Sequence, residues 1–273
     1  MLRITHNAGL FSCCMIRLLD ILNYFNYYKK LPVSVDSSQQ FALYKSSHNQ
    51  DLTYNFFAHE ELLDTITYSS EVKPILTNDC VHFPNFKNIN YPDLAPFITK
   101  YFSPSSAIKE RIVGLESKYK LNYDQTCVIY YRGNDKVLEI DCPTYQDMVD
   151  KAIQVKKEHP EIKFLVQTDE LEFLRYFMQR FPDSITLTET QPIKKRPINP
   201  VYALPHAMKE EHGYNFLAIF YFLSKFKYII TTTCNAAIWL CLFRNNSDGV
   251  YQYLKTKGHV GTQLRPENNY WYT

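Results

Sequence analysis

The chain has 273 residues, 45% of them hydrophobic and 21% charged, with a formal net charge of +2. That length buries the core of one large or two ordinary domains, and the near balance of charge argues against a dedicated nucleic-acid binder, which needs a clear basic excess. The seven cysteines (13, 14, 80, 127, 142, 234 and 241) contain no CxxC pair and are odd in number, which favours a reducing compartment over a disulfide framework.

The chain opens with a short β-like run, LRIT, and a loop, HNAG. The apolar stretch AGLFSCCMI follows, interrupted by Arg17 and Asp20. It is too short for a membrane span and lacks a signal peptide's basic front, so it starts a buried helix, and no transmembrane segment is expected. From Leu10 to Tyr28 apolar residues recur at helical spacing. LPVSVD, residues 31–36, is expected as a strand with Pro32 near its start. Strand, helix, strand implies a parallel sheet. Residues 37–103, rich in Ser, Asn, Tyr and Phe, show weak periodicity, and prolines stand at 74, 84, 92 and 96. HEELL, 59–63, begins like a zinc-protease helix but has Leu63 where the second histidine must stand, so no zinc site is expected. Residues 103–120 form a capped helix that joins two halves.

The second half alternates. Strands are expected at 127–131, 163–169, 184–187 and 227–233, and helices at 144–159, 171–181, 207–226 and 235–244. Residues 190–205 form a proline-rich loop whose Lys194, Lys195 and Arg196 read as a solvated, mobile face. Asn245-Asn246-Ser247 is a formal glycosylation sequon without other secretory support. Strands followed by helices of this length indicate a doubly wound α/β fold. Two such units suggest an α/β protein of two Rossmann-like lobes with parallel sheets and a cleft between them, residues 1–104 and 105–245, with residues 246–273 packing back on the first lobe.

Open parallel sheets bind ligands beyond the carboxyl ends of their strands, and three polar loops fall there. In the first, Arg132 has a planar fork suited to bidentate phosphate binding, Lys136 adds a second cation, and Glu139 and Asp141 are available as a general base. The ordinary alternative is a turn in which Asn134 and Asp135 cap or kink the chain and Arg132 pairs with Asp135. In the second, Thr168 and Asp169 end a strand, or one of them caps the following helix. In the third, Thr231–Asn235 precede a helix whose N-terminus either attracts phosphate or is merely capped. In the first half, Gly9 in HNAGLF lets a ligand approach the backbone, with His6 and Asn7 placed to hydrogen-bond it; a plain helix-start turn is the alternative. No GxxxxGK[ST], GxGxxG or GxSxG motif occurs, and no DxD, so the ATPase, dehydrogenase and hydrolase readings lack their signatures.

The order VIYYRGNDKVLE, FLVQTDELEFLRYFMQRFP, FLSKFKYIITTTCNAAIW resembles the donor-binding half of GDP-fucose-dependent fucosyltransferases, nearest the α1,6- and nodulation group and further from the protein O-fucosyltransferases. The resemblance covers roughly 125–245, and HNAGLFSCC and LPVSVD are faintly similar to the first lobe. It implies a two-lobed GT-B-like fold and an inverting transfer of fucose from GDP-fucose to a glycan hydroxyl, without metal or other cofactor. It further implies that Arg132 contacts the diphosphate, with Asn134 beside it, and that Lys136 and Asp135 support the site. Glu139 or Asp141 would be the base. Thr168 and Asp169 would lie along the donor, with Thr233, Cys234 and Asn235 near its phosphates. Tyr130 stands where the family has histidine and Gly133 where it has a second arginine. The acidic residue of the long helix is missing where FLAIF aligns, Glu210 or Glu211 lying about two turns earlier, and Glu139 is one residue off the base position. Another nucleotide sugar, or a non-catalytic nucleotide- or glycan-binding module, are the alternatives. The partners expected are a nucleotide-sugar donor and a glycan acceptor, not a nucleic acid, in a bacterial cytoplasm or that of a virus-infected host cell. Oligomeric state is left open.

Overall fold

The structure, a computed structural model, describes residues 1–47, 50–59, 72, 84–255 and 270–273. Cys80 and residues 60–63 of HEELL lie outside them.

The first half opens as a β-α-β unit. β1 (Leu2–Arg3) pairs in parallel with β2 (Val35–Asp36), and α1 (Leu10–Tyr28) connects them. The strand expected over 31–36 is thus only two residues long. Pro32 lacks the N–H a ladder needs, and the pairing begins where Leu2 N donates to Ser34 O. A short helix α2 (Thr53–Phe56) leads into β3 (Phe57–Ala58), which pairs antiparallel with β4 (Ser103–Pro104). Between them α3 (Tyr91–Phe102) forms despite Pro92 and Pro96. Pro92 occupies the first turn, and the N–H that Pro96 lacks would have bonded back only as far as residue 92, so the cost of both prolines falls at the helix start. Among the described residues the first half contributes these two-residue strand pairs and no larger sheet. Its aromatic residues form a packed mass instead: Phe41, Phe56, Phe57, Phe97 and Phe102 are all buried.

After α4 (Ser106–Tyr119), capped by Ser105 Oγ accepting from Ile108 N, the second half builds one six-stranded sheet. Its strands are β5 (Thr126–Tyr131), β6 (Lys163–Thr168), β7 (Ile185–Thr186), β8 (Tyr228–Thr232), β9 (Val250–Tyr253) and β10 (Trp271–Tyr272), in the order β10-β9-β8-β5-β6-β7. β5 to β9 run parallel and β10 is antiparallel at the edge. All six residues of β5 are buried, which is why its sequence is a near-continuous apolar run: a central parallel strand is covered on both faces. α5 (Tyr145–Glu158) and α6 (Leu171–Arg180) cover the face bearing Cys127, Ile129 and Tyr131. α7 (His206–Leu223) and α8 (Asn235–Arg244) cover the face bearing Val128 and Tyr130. α1 docks there too, with Phe11 4.5 Å from Phe220 and 6.3 Å from Trp239 between ring centroids. Gly213 of α7 admits this packing; a Cβ there would meet the Phe56 and Tyr44 rings at 3.1 Å.

Residues 250–253 and 271–272 extend the second-half sheet, and Gln252 also reaches the first half: Phe86 N donates to Gln252 Oε1 and Gln252 Nε2 to Pro84 O, at 2.9 and 3.0 Å. One hydrophobic cluster runs through α1, α3, α4, α7 and α8 across both halves. The six described cysteines are free thiols. Among the described residues no helix is long and apolar enough to cross a membrane.

Candidate functional site

The chain leaves β5 toward β6 and β7, then returns across the sheet to β8 on the other side of β5. The crevice outside such a reversal is where open α/β sheets bind ligands. The register puts Tyr131 level with Thr168 and Tyr130 level with Thr231, so the loops beginning at Arg132, Asp169 and Thr233 emerge together. A cavity of about 660 Å³ opens there. Its floor includes Tyr130, Arg132, Lys136, Thr168, Asp169 and Asn235. A second wall is the loop before α1 and its first turn, from Asn7 to Ser12, with Tyr44, and a third is Pro197–Tyr202.

Arg132 pairs with Asp135, the ordinary alternative, and also stands at the cavity. Its Nε and Nη2 hold Asp135 in three hydrogen bonds of 3.0–3.2 Å, and Nε lies 3.7 Å from Asp169 Oδ2, while the residue still lines the cavity. Burial works against its charge, but Asp135 and Asp169 outweigh it and hold the guanidinium well above its ordinary range. Burial raises the Asp169 carboxyl, opposed by Arg132 and by the N–H of Gly133, which donates to Oδ1 at 3.0 Å. Asp135–Leu138 form a 3-10 turn. Within it the buried Lys136 turns its ammonium onto Glu139, whose side chain is 45% exposed. The turn therefore presents Arg132, Asp135, Lys136 and Glu139 together to the cavity.

Asn134 is a tether outside the cavity lining: its Nδ2 donates to Asp169 O at 2.6 Å, and its Oδ1 accepts from Arg196 N at 2.9 Å. Asp141 faces Lys255 at 3.9 Å instead of the cavity. Thr233 Oγ1 donates to Tyr253 O at 2.6 Å, fastening β8 to β9, and Cys234 Sγ caps α8 by accepting from Ala237 N at 3.4 Å. Both are buried away from the cavity, for ordinary capping and pairing reasons. Asn235, next in line, does reach it. Thr168 Oγ1 accepts from Glu170 N at 3.1 Å. Asn7 Oδ1 accepts from Ala42 N at 3.0 Å, and Gly9 is the N-cap of α1, with an ordinary negative φ of −59°. His6 stands behind Ser12, its Nε2 3.0 Å from Ser12 Oγ. His59, the described residue of HEELL, meets Arg17 Nη2 at 2.9 Å through Nε2. Among the described residues no three His, Cys, Asp or Glu side chains cluster to hold a metal ion.

The proline-rich loop is the main difference from expectation. Lys194, Lys195 and Arg196 have exposed side chains, but the backbone is tied down. Ile193 bonds to Asp169 and Leu171, Lys195 N donates to Glu172 Oε2 at 2.8 Å, and Arg196 N reaches Asn134. The loop is thus a strap whose far end walls the cavity. Ser12, Gln167, Thr190, Asn199 and His212 also line it, and no motif in the sequence marked them. The one available signal was position: Gln167 and Ser12 flank residues already singled out.

No protein-family model matches the chain, and a search of curated proteins returns no match. Comparison with solved structures returns fucosyltransferases, the group the sequence motifs resemble. NodZ α1,6-fucosyltransferase co-crystallised with GDP aligns with 57% of this chain and 47% of its own, at 18% identity and a TM-score of 0.38. The same enzyme soaked with GDP-fucose aligns over 60% and 50%, at 13% identity and 0.38. An Arabidopsis thaliana FUT1 variant in complex with GDP aligns over 63% and 38%, at 11% identity and 0.39. The chain spans half or less of the length of these proteins, and the likeness is partial.

Proposed function

We propose that this protein is a glycosyltransferase of the inverting, metal-independent kind, with a two-lobed GT-B-like organisation, residues 1–104 on the acceptor side and 105–245 on the donor side. The donor would be a nucleotide sugar, GDP-fucose by the sequence resemblance, and the acceptor a glycan hydroxyl. The observation that carries this reading is the cavity at the sheet reversal, where two cations, Arg132 and Lys136, meet the first turn of α1.

Breaking a sugar–phosphate bond leaves negative charge on the departing diphosphate and oxocarbenium character on the sugar. Cations already held in place stabilise that charge without reorganising. Asp135 and Asp169 hold Arg132 through Nε and Nη2, which sets the guanidinium plane; in this reading Nη1 is the group that meets a phosphate. The acceptor's proton passes to a base on the cavity wall. Glu139 is the candidate carried from the sequence, with Lys136 on one of its oxygens. A second reading, a non-catalytic nucleotide-binding module, draws on that same pairing, because both side chains of the ion pair are already engaged.

Thermal unfolding with GDP, UDP and ADP tests the reading. GDP is expected to raise the midpoint and Arg132→Ala to abolish the rise. No shift with any of the three would remove both readings; a shift without release of GDP from GDP-fucose would leave the binding module.

A further inference from the structure

Ser12 and His6 form a hydroxyl–imidazole pair that the functional reading does not use. Ser12 lies in the first turn of α1 and lines the cavity, and its Oγ is 3.0 Å from His6 Nε2. His6 sits behind it, in the loop between β1 and α1. A base positioned within hydrogen-bond reach of a hydroxyl, itself exposed to a reacting group, is the arrangement that moves a proton. The charged group facing His6 is Asp20, one helical stretch further along α1, whose field favours the imidazolium; burial outweighs it and keeps the ring below its ordinary value, hence neutral and able to accept a proton. The Cys13 thiol also packs here, donating to His6 O and Ala8 O, and burial raises it, so it adds no charge.

We propose that the acceptor's proton leaves through Ser12 to His6, and that Glu139 serves as the counter-ion of Lys136; this rests on the glycosyltransferase reading. In an inverting displacement the incoming oxygen attacks the face of the sugar away from the leaving diphosphate. Glu139, the residue that follows the 3-10 turn, is bonded to Lys136 inside it, so it stands on the side of the cations that hold the leaving group. Ser12 comes from the α1 wall, contributed by the other half of the chain. In the step, the hydroxyl oxygen of the acceptor forms the new bond to the anomeric carbon while the carbon–phosphate oxygen bond breaks and its electron pair leaves on the diphosphate. The acceptor's proton passes to Ser12 Oγ as the serine's own proton passes to His6 Nε2, giving an imidazolium that Asp20 compensates. With water as acceptor the same path yields hydrolysis of the donor. Ser12 is the group that touches the reacting hydroxyl; His6 acts through it.

The test uses the whole chain and GDP-fucose, with water as acceptor, following GDP release. Ser12→Ala and His6→Asn should each lower kcat by about 100-fold or more, and the double variant no further. Ser12→Thr, which keeps a hydroxyl, should restore most of the rate. GDP-induced thermal stabilisation should be unchanged in all of them. The wild-type kcat should fall on the acid side with a midpoint below the ordinary histidine value of 6.5, and that limb should vanish in His6→Asn but persist in Glu139→Gln. Rates within about threefold of wild type in either Ser12→Ala or His6→Asn, with GDP binding intact, would overturn the proposal, as would loss of the acid limb in Glu139→Gln. Absence of stabilisation by GDP in the wild type overturns the underlying reading instead, and this proposal with it.

Discussion

The carboxylate of Glu170 lies against the backbone of Gly133: a Cβ at position 133 would stand 2.0 Å from Glu170 Oε2 and 2.7 Å from Tyr131 Cε1. Glu170 is 0% exposed, and its charged partner is Lys195 Nζ at 3.5 Å, a side chain 52% exposed. Burial pushes the Glu170 carboxyl up, and Lys195 opposes the shift. The residue between Arg132 and Asn134 is therefore glycine for want of space, and the strap is fastened over it.

Replacing that glycine tests the packing. Gly133→Ala is expected to destabilise the fold by about 1–3 kcal/mol, the usual cost of overfilling a packed site. The check is the denaturant midpoint at unchanged slope. Gly133→Ala combined with Glu170→Ala should recover part of the loss, since contacting residues are not additive. A midpoint equal to wild type in the single variant would mean that Glu170 does not occupy this position.

Asn134 ties the charged turn to the strap through two hydrogen bonds, to Asp169 O and from Arg196 N. Asn134→Ala takes the side-chain acceptor from Arg196 N and leaves Asp169 O with Ile193 N alone, at about 1–3 kcal/mol in total stability. More specifically, trypsin should cut after Lys194, Lys195 or Arg196 faster than in wild type under native conditions, because local opening of the strap becomes easier. Equal cleavage rates would show that the strap is held without Asn134.

His212, on the α7 side of the cavity, stacks on Phe216 with a centroid distance of 5.7 Å and an interplanar angle of 12°. Burial pushes its imidazole down to about 4 from 6.5. The native state thus binds fewer protons than the unfolded chain between those values, so the stability due to neutral His212 is whole above about pH 6.5 and is lost as pH falls toward about 4. His212→Phe should flatten the decline of the thermal midpoint between about pH 6.5 and about pH 4.5. An unchanged slope would place the imidazole in water.

Much of the second half was legible because its signals are local. β5 and β6 are runs of apolar residues, α5 has a Thr144–Asp147 capping box, and α1 and α8 match their expected spans residue for residue. The first half was less legible, since Phe and Tyr packing gives no simple period and Pro92 and Pro96 disguise α3. At the site, Arg132, Lys136 and Asp169 stood out by position at strand ends. Thr233 and Cys234 carry the same local pattern but turn inward, a distinction that a one-residue rotation decides.

By itself the sequence determined the order of strands and helices from β5 to α8 and the three polar loops at their carboxyl ends, because hydrophobic periodicity and capping act over a few residues; it did not mark the edge strands β9 and β10. Only the tertiary structure decided that the first turn of α1 and the strap share a cavity with those loops. It also put Ser12 on the wall of that cavity with His6 behind it and closed Glu170 over Gly133. Such relationships join residues as far apart as Asn134 and Arg196, or Phe11 and Phe220, and they arise when separate elements dock, a step whose geometry is set by the fit of whole surfaces.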